Sequence, residues 1–127
     1  MNVLTGDAIR QLGRRFGIRD LRLDADGVAS LSIEGGRSLL LESRHGKLYL
    51  SLAFQVPASD EAMERLLAEA HPMRCRRFHV RAGFLRREGL ALLCVGIPDE
   101  TVSVSRLSEA YEFLEVGVSR TGGGSWA

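Results

Sequence analysis

The sequence predicts an α+β domain in the order α-β-β-β-α-β-β-α: a twisted antiparallel sheet with helices packed on one face. Three observations lead there. Apolar residues recur at helical spacing in three segments and alternate with polar ones in the strand segments. Short turn-forming connections join the strands as hairpins rather than crossovers, so the pairing is antiparallel throughout. With 127 residues, 45% apolar and 26% charged, the chain has the size and composition of one globular domain.

The first helix runs from Thr5 to Phe16, with Ala8, Ile9, Leu12 and Phe16 on one face and Arg10, Gln11, Arg14 and Arg15 on the other. Thr5 or Asp7 supplies its cap, and Gly17 supplies the left-handed residue that ends it. A connector with apolar Ile18, Leu21 and Leu23 leads to the turn Asp24 to Gly27. The first strand follows, with Ala29, Leu31 and Ile33 alternating with Ser30 and Ser32. Gly35 and Gly36 then turn the chain into strands Ser38 to Ser43 and Lys47 to Val56, joined at His45-Gly46.

Pro57 ends the third strand, and Ser59 or Asp60 caps a second helix striped with Ala62, Met63, Leu66, Leu67 and Ala70. Phe78, Val80, Ala82 and Phe84 alternate in a fourth strand, and the apolar run Leu90 to Ile97 makes the fifth. Ser103 caps the last helix, whose inner face is Val104, Leu107, Ala110, Tyr111, Leu114 and Val118. The domain spans 1–120, and 121–127 is a flexible Gly-rich tail. With the first and third helices covering the sheet, the second is left over, and its stripe predicts a homodimer through Met63, Leu66, Leu67, Phe78 and Val80.

Few patterns point to chemistry. Seventeen basic and sixteen acidic side chains leave a net charge of +1, so no global field draws the chain to nucleic acid or anionic lipid. No apolar run reaches the roughly 20 residues that span a bilayer, and the opening residues lack a signal-peptide core, which places the protein in the cytoplasm. Two cysteines, Cys75 and Cys94, are too few for a disulfide framework. The glycines at 122–124 are followed by no phosphate-binding Lys-Ser or Lys-Thr, and aligning Gly27 to a calcium loop puts Ile33 where a glutamate belongs. Pro72 interrupts the spacing of His71, Cys75 and His79 as zinc ligands, and no nucleophile elbow occurs. The reading is therefore no catalytic residue, no metal and no cofactor.

One local charge feature stands out. Arg74, Arg76, Arg77, Arg81, Arg86 and Arg87 crowd a stretch without an acidic residue, interleaved with Phe78 and Phe84. As an alternative function, such a face could track a nucleic-acid backbone, although no base-reading motif accompanies it.

The stretch LGRRFGIRDLRLDADGVASL from Leu12 to Leu31, followed by the Leu40-Leu41-Glu42 strand, resembles the class I type III secretion chaperones of the Tir chaperone-like family. The shared features are an opening helix ending in Leu12-Gly13 and Phe16-Gly17, a short connector, an acidic turn with glycine, and a strand. The resemblance implies a homodimeric, ATP-independent bacterial chaperone without enzymatic activity, whose partner is the non-globular N-terminal segment of a secreted effector. The candidate effector-binding residues are the apolar Leu12, Phe16, Ile18, Leu21, Leu23, Ala29, Leu31 and Ile33 of the first helix, connector and first strand, and periodicity alone reads each of them equally as core. Members of the family are usually acidic; this chain is not, which implies an effector segment less basic than usual.

Overall fold

The computed structural model describes residues 3–57, 59–71, 78–85 and 88–121. The elements are α1 (Val3–Arg15), β1 (Val28–Ile33), β2 (Arg37–Arg44), β3 (Lys47–Gln55), α2 (Asp60–Glu69), β4 (Val80–Leu85), β5 (Leu90–Pro98) and α3 (Val104–Arg120). The α+β order read from the sequence is the observed one.

The local chemistry accounts for most boundaries. Ser59 and Ser103 cap α2 and α3, their hydroxyls accepting from the amides of Ala62 at 3.1 Å and Arg106 at 3.0 Å. Helix α1 begins earlier than the sequence suggests, at Val3. Thr5 is therefore buried inside it rather than capping it, and Asp7 pairs with Arg10 one turn on. At the other end, the amide of Ile18 donates to the Gly13 carbonyl at 2.9 Å and that of Gly17 to Arg14 at 3.1 Å, with Gly17 at φ +74°. This paired closure needs a left-handed residue at Gly17, which glycine adopts without penalty.

The five strands lie in the order β1-β2-β3-β5-β4, all antiparallel. Not every pair is a hairpin. The seam between β3 and β5 runs from Lys47 opposite Pro98 to Gln55 opposite Leu90 and joins the three-stranded meander to the later hairpin across α2 and β4. The most apolar strand, β5, thereby lies between two neighbours, where it loses the most surface to packing.

One face of the sheet carries Leu31, Leu39, Leu41, Leu48, Leu50, Leu52, Phe54, Leu93, Val95 and Ile97, all buried. Helix α3 packs on β3 and β5, and α1 packs on α3, adding Ile9 and Leu12 to the same core. Helix α2 is not left over. It packs on β4 and α3, and Leu66 is buried within the protomer.

Candidate functional site

The structure divides the eight groove residues into two groups. Leu12, Leu21 and Leu31 are buried members of the main core. Phe16, Ile18, Leu23, Ala29 and Ile33 pack against that core but remain partly open. Phe16, Ile18 and Leu23 follow α1 on the way to β1, Ala29 and Ile33 lie near the start and at the end of β1, and β1 is an outer strand of the sheet. An outer strand exposes a row of backbone donors and acceptors to which an extended peptide can add, with side-chain recesses beside it giving selectivity.

Two devices hold this corner in shape. The connector presses on α1 at Gly13, where Leu21 leaves no room for a side chain. The Asp24 carboxylate accepts from the amides of Asp26 at 2.8 Å and Val28 at 3.0 Å, fixing the turn that launches β1. Asp24 and Asp26 thus serve a turn, and no group of three potential metal ligands occurs among the described residues.

A polar and aromatic knot ties α1, β2 and α3 together beside Phe16. The Phe16 ring meets Tyr111 edge-on with centroids 5.1 Å apart, and the Arg15 guanidinium lies 5.1 Å from the centre of the same ring. The Tyr111 hydroxyl donates to Glu115 at 2.7 Å, and Arg37 pairs with Glu115. Burial, helped by the hydrogen bond to Glu115 and its negative charge, pushes the Tyr111 hydroxyl well above its usual range, against the opposing pull of Arg37 and Arg15. Periodicity marked Tyr111 as an inner-face residue but could not reveal its partners.

The five residues expected at a dimer contact also divide. Phe78 is buried beneath α3, its ring 5.4 Å from that of Phe113 and 4.2 Å from the Arg106 guanidinium. Val80 and Leu66 are buried as well, whereas Met63 is partly open and Leu67 is 58% exposed. Val80 lines a cleft of about 260 Å³ beside α3, together with Phe113 and Val116. Sequence reasoning missed this cleft. Its one available signal was Val116, an apolar residue outside the helix's inner stripe and half exposed in the fold.

Of the arginine-rich stretch, only Arg81 is among the described residues; Arg74, Arg76, Arg77, Arg86 and Arg87, like Cys75 and the tail from residue 122, lie outside them. Among the described residues no helix is long and apolar enough to cross a membrane.

A one-sided antiparallel sheet with an outer strand beside half-buried apolar side chains has the geometry to accept an added extended strand. The chain belongs to the Tir chaperone protein (CesT) family, whose profile matches residues 7–115. Among solved structures, it is similar to a chain of the ExsC-ExsE complex at 18% identity, with a TM-score of 0.72 and 92% of each chain covered. The HopA1-SchA chaperone-effector complex gives 22% identity, a TM-score of 0.70 and 91% of each chain. The heterodimeric ExoU-SpcU complex from the type III secretion system of Pseudomonas aeruginosa gives 20% identity, a TM-score of 0.63, and 89% and 93% of the two chains. No curated protein sequence matched the chain significantly.

Proposed function

We propose that this protein is a non-enzymatic, ATP-independent chaperone of the bacterial cytoplasm that binds the extended N-terminal segment of a type III secreted effector and keeps it competent for secretion. The observation that carries this reading is family membership across residues 7–115 combined with the open β1 edge bordered by Phe16, Ile18, Leu23, Ala29 and Ile33. The effector strand adds to β1 through main-chain hydrogen bonds, and its alternate apolar side chains pack on these partly open residues. An ordering segment must gain several such contacts at once to offset its lost entropy, so the work is shared among the five residues.

The functional unit in this reading is a homodimer whose contact centres on α2 and the outer edge of β4. Leu67 and the partly open Met63 supply its apolar surface, while Leu66, Phe78 and Val80 support it from inside each protomer. Co-purification with the secreted protein encoded by the adjacent gene tests the assignment. The wild-type chain should retain that partner's N-terminal segment, and the Phe16→Ala, Ile33→Ser double variant should lose it while keeping its circular dichroism. Retention by the folded double variant would overturn the β1 groove, and failure of the wild-type chain to bind would overturn the chaperone reading itself.

A further inference from the structure

The sheet face turned away from the helices holds a recess of its own. Register lines up Leu40, Ser51, Cys94 and Arg81 across β2, β3, β5 and β4, with Ser38, Ala53, Leu92 and Gly83 in the next row. Small residues keep its floor low. Tyr49 lies opposite Gly96, and a Cβ on that glycine would sit 2.9 Å from the tyrosine ring, so the ring rests directly on the strand backbone. The recess above Tyr49, Leu92, Cys94 and Gly83 encloses about 470 Å³. A smaller hollow of about 70 Å³ opens beside it, bordered by Lys47, His79 and Arg81.

The charge on this face is one-sided. Arg44, Lys47 and Arg81 border the two hollows, and Glu42 is the one carboxylate among their described lining residues. Glu42 is engaged by Arg44 at 3.3 Å. Lys47 and Arg81 are exposed and have no carboxylate partner among the described residues. Exposed Lys47 and Arg81 at the rim favour an acidic segment over a basic one, since like charges brought together across an interface are repelled.

We propose that the sheet face turned away from the helices is a second docking surface, which takes an acidic stretch of the exported partner with apolar side chains between its carboxylates. This rests on the chaperone reading and adds the chemistry of the segment recognised. Four strands at about 4.8 Å spacing make a strip about 14 Å across, which four or five extended residues bridge. Carboxylates of the segment pair with Lys47 and Arg81 at the rim, and its apolar side chains settle on Tyr49, Leu92 and Cys94. Unlike addition to β1, this contact does not need a free strand edge.

The probe is a fluorescein-labelled nonapeptide alternating glutamate with leucine, compared by anisotropy with its lysine-leucine counterpart on the full-length chain. The acidic peptide should bind about tenfold or more tightly than the basic one, and should weaken as salt rises from about 0.05 to about 0.5 M. The exposed pair Lys47→Glu, Arg81→Glu should abolish this preference, and the milder Lys47→Gln, Arg81→Gln should reduce it, with circular dichroism unchanged. In a Cys75→Ser background, bound acidic peptide should slow alkylation of Cys94 by iodoacetamide.

Equal binding of the two peptides, undiminished binding by the charge-reversed variant, or an unchanged Cys94 rate would each overturn the proposal. So would displacement of the peptide by a short single-stranded oligonucleotide, which would make the face a nucleic-acid surface, or a smaller oligomer on charge reversal, which would make it a contact between copies. If the effector's N-terminal segment binds the wild-type chain but the acidic peptide does not, this inference fails while the chaperone reading stands. If that segment does not bind, the chaperone reading fails whatever the peptide does.

Discussion

A Cβ placed on Gly13 would lie 2.5 Å from the Cβ of Leu21, so the last turn of α1 and the connector approach as closely as a bare backbone allows. The Leu12-Gly13 pair is thus a packing requirement, leucine filling the core and glycine admitting the connector.

Gly13→Ala should lower the urea midpoint of unfolding. Alanine gains about 1 kcal/mol of helix propensity over glycine, while forcing a methyl into a filled contact costs about 1–3 kcal/mol. The connector must move to accept it, so partner binding at the β1 edge should weaken along with stability. An unchanged midpoint would show that Leu21 shifts freely.

Tyr111 should make stability fall in alkaline solution. Its hydroxyl is held neutral in the folded state above the ordinary value of 10.0, so the stabilisation is complete below about pH 10 and is lost as pH rises toward the folded-state value. Urea midpoints measured from about pH 7 to about pH 11 should show the decline, and Tyr111→Phe should remove this component. At neutral pH the same substitution should cost about 1 kcal/mol through the lost bond to Glu115.

Neighbouring leucines on α2 should behave oppositely. Leu66 is 1% exposed, so Leu66→Ala should cost about 2–5 kcal/mol of stability whatever the oligomeric state. Leu67 is 58% exposed, so Leu67→Asp should leave the fold intact and shift a dimer toward monomer in sedimentation equilibrium. A dimer that persists with Leu67→Asp moves the contact away from this face of α2.

Within β1, Leu31 and Ile33 separate folding from binding. Leu31 is 6% exposed in the core, and Leu31→Asp should unfold the protein by burying a charge. Ile33 is only partly buried, and Ile33→Ser should weaken capture of the effector segment with a smaller loss of stability. Equal unfolding by both would make β1 structural along its whole length.

The local elements are legible in the chain alone, because their causes lie within a few residues of one another. Ser59 and Ser103 cap their helices through the amide three residues on, Gly17 closes α1, and the alternation from Leu48 to Phe54 assigns β3 its inner face. The sequence also marked the α1–β1 corner, since Leu12-Gly13, Phe16-Gly17 and the Asp24 turn lie close together along the chain.

Which apolar residues are core and which are surface depends on the packed molecule. Periodicity reports that Leu31 and Ile33 share a face, but not that Leu31 is buried while Ile33 stays partly open. It assigns Leu66 and Leu67 to one stripe, yet α2 turns Leu66 inward against β4 and α3 and leaves Leu67 outside. The β3–β5 seam, the Tyr111–Glu115–Arg37 knot and the cationic hollow over Tyr49 each join residues distant in sequence. Their physical reason is the same: burial and pairing depend on what the rest of the chain brings within reach, and a one-dimensional pattern carries the direction of each side chain but not its neighbours.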